Sequence, residues 1–231
     1  MPSNDAAGKP RMSDHQYFAS YYRWLVASRR LGVDLSGPRI LDVGCDDANF
    51  LGRGAASLRV GVDMAPRARS QGGVEIVRAD ARRLPIVAGG FDSILCFDVL
   101  EHIEDDRAVM REMLGALSPH GTIWISTPAL GYRMFPATLT PYTNRIFGHV
   151  RNGYTAAALK ALIPDPDRWR LDYFYWNEPL LRFGFAPLHV LGRAVPALAA
   201  RATRLCYQLD ARMSNGQRGH LFAAIRRRAQ N

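Results

Sequence analysis

The sequence predicts an α/β fold in which helices cover both faces of a mostly parallel sheet, and two observations support this. Short apolar runs rich in Val, Ile and Leu alternate with longer segments of helical periodicity along the first 130 residues or so. Three successive runs close on an acidic residue, namely Asp42, Asp63 and Asp80. In parallel sheets the carboxyl ends of the strands share one edge, where ligands bind. We therefore expect a ligand site at that edge.

The length and composition fit one domain. The 231 residues are 48% hydrophobic, enough for one good-sized core with modest additions. Residues 1–12 are polar and are expected to form a disordered tail without a signal peptide, which leaves 13–231 as the domain. Ser13 is a plausible N-cap with Gln16 three positions later, so an aromatic-rich helix is expected within 13–34.

Seven strands are expected, with helical segments between most of them. A helix is predicted directly after the Gly turn at 44–48, another over 105–117, ended by a turn at 118–121, and a short one near 155–162. The ligand-binding core is expected to span 39–128. Residues 129–178 would supply a loop, a helix and a strand on the other side of the ligand site. The predicted strands are 39–43, 58–62, 74–79, 92–97, 121–127, 170–176 and 219–226.

A helical insert is predicted at 179–215, before the last strand and tail at 219–231. Pro187 suits a helix start and Pro196 predicts a kink. Arg193 and Arg201 fall off an apolar stripe of helical periodicity. Packing on its own domain, contact with a membrane or a lipid-like substrate, and a dimer seam all remain open. The stripe consists of Leu188, Leu191, Val195, Leu198, Ala202, Leu205 and Leu209.

The turn after the first strand favours a positively charged ligand. A dinucleotide pyrophosphate needs close-approach glycines at a helix start, but this turn has one glycine, Gly44, followed by Asp46 and Asp47. Two carboxylates would repel a phosphate, whereas they would attract an ammonium and a sulfonium. The electrostatics therefore favour S-adenosylmethionine over NAD. Asp63 lies about twenty residues beyond the turn, the offset at which an acid reaches a ribose hydroxyl.

These pieces, in this order, resemble a class I S-adenosylmethionine-dependent methyltransferase of the small bacterial type, from residue 40 to about 128. The resemblance implies a Rossmann-like seven-stranded sheet whose last strand runs antiparallel between the fifth and sixth. The chain departs from the family at Asp46 and Ala48, where the family usually or often has glycine. The matching pieces are LDVGC (41–45), GVD (61–63), ADA (79–81), LP (84–85), FDSI (91–94), VLEH (99–102), LSPHGT (117–122) and STP (126–128).

The resemblance also implies roles for individual residues. His102 is the candidate general base, because an imidazole accepts a proton near neutral pH. Tyr17, Tyr21, His149 and Tyr154 are expected to line the acceptor pocket, and no metal ligand is assigned. The residues expected to bind the cofactor are Asp42, Gly44, Cys45, Asp46, Asp63, Met64, Asp80, Ala81, Phe97 and Asp98.

The expected activity is methyl transfer to a small-molecule or lipid/glycan-type acceptor. Alternatives are a non-catalytic protein that keeps the fold for binding, and a nucleic-acid methyltransferase. The net charge is +9, but nearly all basic residues are arginines scattered along the chain, which argues against nucleic acid. Three cysteines without paired spacing suggest a reducing compartment, so a cytoplasmic protein is expected, with peripheral membrane contact at 180–210 as an option.

Overall fold

The computed structural model describes residues 17–133, 138, 140–213 and 219–228. The expected tail at 1–12 and the Ser13 cap with Gln16 lie outside these residues. Helix α1 covers Tyr17–Val26 and continues as one wider π-helical turn, Ala27–Leu31. Gly32 ends it with a φ of 75°, the left-handed conformation that glycine adopts freely.

The predicted seven-stranded sheet is confirmed. Its strand order is β3-β2-β1-β4-β5-β7-β6. All neighbouring pairs are parallel except those of β7, which runs antiparallel between β5 and β6. The strands are β1 Arg39–Val43, β2 Leu58–Asp63, β3 Val74–Arg78, β4 Phe91–Phe97, β5 Leu117–Pro128, β6 Trp169–Trp176 and β7 His220–Arg227.

Helices cover both faces of the sheet and bury two apolar clusters. One cluster lies under α2 and α4 and includes Leu41, Met110 and Leu159. The other lies under α1 and the helices before β7 and includes Ile40 and Tyr22. The remaining helices are α2 Asp106–Ala116, α3 Thr140–Ile146, α4 Ala156–Lys160, α5 Pro179–Phe183, α6 Phe185–Ala194 and α7 Pro196–Met213.

The expectation of a helix after the Gly turn is wrong. Between β1 and β4, the only helical element among the described residues is a three-residue 3-10 turn, Leu51–Arg53. Two non-glycine residues between β1 and β2, Asp46 and Ala48, have positive φ, which breaks helical geometry at the point where the helix would begin. The connections from β2 to β3 and from β3 to β4 contain Gly72-Gly73 and Leu84-Pro85, residue pairs that favour turns over helices.

The helix and strand around 105–128 differ slightly from prediction. Asp105 caps α2 by accepting a hydrogen bond from the Ala108 N–H at 3.0 Å. The expected turn at 118–121 is absorbed into β5, which begins at Leu117 and shifts register opposite β4. The Ser118 hydroxyl donates to Asp92 at 2.8 Å, so a local side-chain bond holds the irregular strand end.

The described part of the insert, 179–213, contains three helices. The stripe residue Leu188 of α6 is buried, but α7 does not bury the apolar stripe. The face of α7 that is buried carries the small or polar Ala199, Thr203, Tyr207 and Asp210. On the predicted stripe, Leu198 and Leu205 remain about half exposed, at 50% and 54%. Tertiary polar bonds explain the choice of face, as described next.

Asp210 fixes the orientation of α7 through hydrogen bonds to α1 and α5. Its carboxylate accepts a hydrogen bond from the Tyr22 hydroxyl of α1 at 2.7 Å and from the Leu180 N–H of α5 at 2.9 Å. Trp176 of β6 donates its indole N–H to the same Tyr22 hydroxyl at 2.9 Å. Turning α7 to bury its leucines would leave these buried polar groups without partners, which costs more than the exposed methyl groups would gain. Among the described residues, no helix combines the length and apolar character that a membrane span requires.

Ala48 carries backbone strain, which generates a stability prediction. Its φ is 56°, where a Cβ costs roughly 1–2 kcal/mol. Ala48→Gly should therefore raise the free energy of unfolding by about 1 kcal/mol, measured by urea denaturation. The control is Ala55→Gly, an exposed loop alanine without positive φ, which should lower it. Equal destabilisation by both changes would contradict the strain at Ala48.

Candidate cofactor and acceptor site

A cleft of about 1190 Å³ opens at the carboxyl edge of the sheet. Its floor is formed by the ends of β1, β2 and β4 together with the loop after β3. Its other wall is formed by α1, α6 and the segment 144–150. Most of the residues predicted for the cofactor meet here, as the sequence indicated. The predicted residues that line the cleft are Gly44, Cys45, Asp46, Asp63, Met64, Asp80, Ala81, Phe97, Asp98, His102 and His149.

The Gly turn is built by close backbone approach. Gly44 has a φ of 77°, and a Cβ on it would lie 2.3 Å from a methyl of Val99, so no side chain fits. The Gly44 and Cys45 N–H groups both donate to the Val62 carbonyl, at 2.7 and 3.2 Å. The turn is therefore tied to β2, and its surface faces the cleft.

Asp46 has a structural partner of its own. Its carboxylate forms an ion pair with Arg67, and its carbonyl accepts hydrogen bonds from the Arg67 and Ala68 N–H groups at 3.0 and 2.9 Å. Its own N–H donates to the Asp63 carboxylate at 3.1 Å. From the sequence, the Asp46 carboxylate is expected to be available to a cationic ligand. The structure corrects this, because Arg67 largely neutralises the carboxylate.

The two other strand-end acids differ in their partners. Asp63 is half-buried at the end of β2, and among the described residues its carboxylate accepts hydrogen bonds only from backbone N–H groups, including Ala65 at 2.8 Å. Asp80 is paired with Arg82 through a 2.7 Å ion pair. The hydrogen bonds from the Arg82 side chain and N–H lower the pKa of Asp80 to about 2. Of the two, Asp63 has the carboxylate that is more available to a ligand.

Asp42 lies beneath the cleft rather than in it. It is 1% exposed, it is not among the lining residues, and its Oδ2 has no hydrogen-bond partner among the described residues. Burial, with the charges of Asp47 and Asp63, raises its pKa well above the ordinary value. A buried carboxylate without a cation directly under the turn is a feature that a cationic ligand above it would stabilise.

An ion network that the sequence did not predict joins α1 to the cleft. Arg23 is buried and bonds Asp98 at 3.0 Å and Glu178 at 2.8 Å. Its Nη2 lies 2.7 Å from His220 Nε2, and His220 Nδ1 lies 2.9 Å from Glu178. Because a guanidinium only donates, Nε2 must accept and Nδ1 carries the proton. Although burial opposes it, Arg23 holds the pKa values of Asp98 and Glu178 below their ordinary range, and the His220 Nδ1–H adds to this effect at Glu178.

Two of the tyrosines predicted for the acceptor pocket do not line the cleft. Tyr21 is buried and accepts hydrogen bonds from Arg204 at 2.8 and 3.2 Å. Tyr154 is buried and donates to Asp106 at 2.6 Å. Tyr17 begins α1, but its side chain lies outside the described part of the chain. Other residues of α1 do line the cleft, among them Phe18, one position from Tyr17.

The acceptor side contains a group of three titratable side chains. The rings of His102 and His149 meet edge to face with centroids 4.7 Å apart. Burial and the neighbouring His102 lower the pKa of His149 to about 4. Glu101 is 1% exposed beside them, and burial together with Asp98 raises its pKa to about 8. His102 was predicted from its motif, whereas Glu101 was read only as part of that motif.

Several lining residues were missed because they come from distant segments. These are Phe18, Arg23, Glu101, Tyr132, Phe185, His189 and His220. A charged residue on the apolar face of α1 was the one available signal, and it points to Arg23. The contribution of the insert through Phe185 and His189 had no local signal, because it depends on how α6 packs.

Comparison with known proteins supports the family resemblance for the core. Residues 41–125 match the family described as "Methyltransferase domain". A ubiquinone biosynthesis O-methyltransferase from Xanthomonas oryzae pv. oryzae is 33% identical over 108 residues. That match covers 41% of this chain and 45% of the relative, so the chain spans less than half the length of the curated relatives it matches.

Solved structures support the fold along most of the chain. An S-adenosylmethionine-dependent methyltransferase from Mesorhizobium loti aligns with a TM-score of 0.58 at 22% identity, over 91% of this chain and all of that one. A phosphoethanolamine N-methyltransferase 2 from Haemonchus contortus, solved with S-adenosyl-L-methionine, gives 0.60 at 14% identity, over 95% and 61%. The chain therefore has the class I methyltransferase fold.

The cofactor agrees with the residues of this cleft. Its sulfonium and ammonium would face a turn underlain by the unpaired Asp42 carboxylate, and Asp63 keeps lone pairs for hydroxyl groups. A pyrophosphate would meet the same carboxylates and be repelled.

The burial of Asp42 predicts a pH dependence of stability. Because its folded pKa is raised, ionisation in the unfolded chain lowers stability as pH rises above about 4. Asp42→Asn cannot ionise, so its melting temperature relative to the wild type should increase from pH 4 to pH 8 without cofactor. Asp92→Asn is the control. Because the Arg39 side chain lowers the pKa of Asp92, the melting temperature of this variant relative to the wild type should decrease over the same pH range. A constant offset for Asp42→Asn would contradict the prediction.

Proposed function

We propose, on the premise that residues 41–125 form a methyltransferase domain, that this protein transfers the methyl group of S-adenosylmethionine to a small-molecule or lipid/glycan-type acceptor. The observation that carries the proposal is a single cleft with two different ends. One end has the Gly44 turn and Asp63, and the other has His102 and His149 beside apolar side chains. Cofactor and acceptor would thus meet in one enclosed space, as an in-line displacement requires.

The cofactor end would hold S-adenosylmethionine through charge and backbone groups. Asp63 would accept hydrogen bonds from the ribose hydroxyls, and the turn at Gly44 would lie against the methionine portion. Asp80 and Ala81, from the loop after β3, would border the adenine. When bound, the cofactor supplies an activated methyl group on a sulfonium. The protein contributes alignment and exclusion of water rather than covalent chemistry.

The acceptor end supports an amphiphilic substrate. Phe147 and Val150 line the cleft while staying about half exposed, at 49% and 48%. Phe185 of the insert adds an apolar side chain to the same wall. The curated relatives are named for O-methylation in ubiquinone biosynthesis, which favours an oxygen acceptor here as well. His102, the candidate base from the sequence, lies at this end of the cleft.

The insert supports contact with an anionic membrane. Its outward face leaves large apolar side chains in solvent, including Phe183 at 66% and Val190 at 67% exposure. Arg193 of α6 and Arg201 of α7 are exposed in the same insert. Apolar side chains flanked by arginines suit the interface of an anionic bilayer, and α6 also forms part of the cleft through Phe185. A membrane-borne acceptor could enter from that side.

Cofactor binding tests the proposal through Asp63. The wild type should bind S-adenosylhomocysteine in the micromolar range by calorimetric titration and should not bind NAD. Asp63→Ala should weaken this binding by about 2–4 kcal/mol, because it removes charge-assisted bonds to two hydroxyls. Asp172→Ala is a matched control at the far edge of the sheet and should leave the affinity unchanged. Unchanged affinity in Asp63→Ala would remove the cofactor assignment.

Liposome binding tests the membrane contact. The protein should co-sediment with anionic vesicles at low salt, and binding should fall as salt rises, because charges are screened over about 8–10 Å at physiological ionic strength. Arg193→Glu with Arg201→Glu should weaken sedimentation without changing affinity for S-adenosylhomocysteine. The matched control is Arg111→Glu with Arg168→Glu, two exposed arginines outside the insert. No sedimentation at low salt, or equal loss in both double variants, would refute the contact.

A further inference from the structure

Three potential metal ligands converge at the acceptor end of the cleft. One ligand atom from each of Glu101, His102 and His149 can be chosen so that all lie within 4.8 Å of one another. All three side chains line the cleft. Glu101 and His102 belong to a 3-10 turn just after β4, whereas His149 comes from the loop after α3, almost 50 residues later. The tertiary fold alone brings them together.

Backbone bonds hold the two segments in register. The Val150 N–H donates to the Glu101 carbonyl at 2.9 Å, and the His149 N–H donates to the Asn144 carbonyl at 2.9 Å. His102 Nδ1 lies 3.4 Å from the Gly148 carbonyl. A proton on Nδ1 would serve that contact and leave the Nε2 lone pair for a metal, the arrangement usual for ligating histidines. The loop thus presents His149 at a defined place beside His102.

The charge of Glu101 also points to a cation. Its carboxylate is buried and accepts one side-chain hydrogen bond, from the Thr127 hydroxyl at 3.2 Å. Across the described residues, no basic side chain forms an ion pair with it, while Arg23 is engaged by Asp98 and Glu178. Buried carboxylates are normally paired or bound to metal. The available partners on its open side are two imidazoles.

We propose that Glu101, His102 and His149 bind one divalent transition-metal ion, of the zinc type, with an open coordination position toward the cleft. Two imidazoles and one carboxylate form a ligand set found in open, catalytic zinc sites, whereas Mg²⁺ prefers oxygen ligands. Metal–ligand distances of about 2.0–2.2 Å at tetrahedral angles place ligand atoms about 3.3–3.6 Å apart. The ligand atoms, which lie within 4.8 Å of one another, would have to approach by up to about 1.3 Å on binding. No metal ligand was assigned from the sequence, so this proposal departs from that prediction and rests on the structure.

This site, which rests on the proposed function for its role, would define the acceptor as a hydroxyl compound. The ion would bind the acceptor oxygen and lower the pKa of its hydroxyl, and the proton would pass to solvent. The C–O bond then forms as the S–C bond of the sulfonium breaks, which leaves a neutral thioether. His102 would act as a metal ligand in this scheme, and no side chain would need to act as the base.

Metal binding by untagged protein tests the site. After dialysis against chelator, the wild type should bind one equivalent of Zn²⁺ in calorimetric titration, and Co²⁺ should give the visible spectrum of a site with nitrogen ligands. His149→Ala should weaken binding by about 100-fold or more, because losing a ligand costs at least as much as losing the group that orients one. His102→Ala should do the same, and both replace side chains that are not fully buried. His189→Ala, in the same cleft but outside the cluster, should bind as the wild type does.

Binding of S-adenosylhomocysteine by the same variants separates this proposal from the proposed function. It should persist in His102→Ala and His149→Ala, since the cofactor end is built from other residues. Glu101→Gln, if it folds by circular dichroism, should also lose Zn²⁺. Absence of one-equivalent binding, equal affinity in His149→Ala and the wild type, or a preference for Mg²⁺ over Zn²⁺ would each overturn the site. If the wild type itself does not bind S-adenosylhomocysteine, the proposed function is refuted instead.

Discussion

The buried guanidinium of Arg23 joins the parts of the molecule that form the cleft. It connects α1 to Asp98 at the end of β4, to Glu178 before α5 and to His220 at the start of β7. Leaving one member of such a buried group unpaired typically costs about 3–5 kcal/mol. The helix that covers the cleft, the strand that ends in it and the segment that leads to the insert are therefore fixed relative to one another by one side chain.

Local arginines determine which acids at the sheet edge are left for a ligand. Arg67 neutralises Asp46, and Arg82 neutralises Asp80, each within a short stretch of chain. The acidic character inferred for the turn is thereby concentrated on Asp63 and on the buried Asp42. Asp63 thus offers the accessible carboxylate at the edge of the cleft. The buried Asp42, whose pKa is raised by burial, would be held ionised by a cation above it, while the paired acids stabilise the loops.

The insert shows how polar bonds can override an apolar stripe. Asp210 binds α1 and α5, so the side of α7 that carries it must face inward. Leu198 and Leu205 are left on the outside as a result. The same orientation places Phe185 and His189 of α6 in the wall of the cleft, so the exposed apolar face and the acceptor end belong to one helical unit. This continuity underlies the proposed route for a membrane-borne acceptor.

The sequence by itself determined the sheet and the strand-end acids, and it indicated the cofactor class that we propose. These depend on short-range patterns: apolar runs that end in Asp42, Asp63 and Asp80, and a single glycine at 44 where the backbone must turn at positive φ. Tertiary structure decided which side chains share the cleft. Arg23, His220 and the pair of Glu101 with His149 come from segments far apart in sequence, and Tyr154 turns away to Asp106. Their encounters follow from long-range packing and from the need to pair buried charge, which no local periodicity encodes.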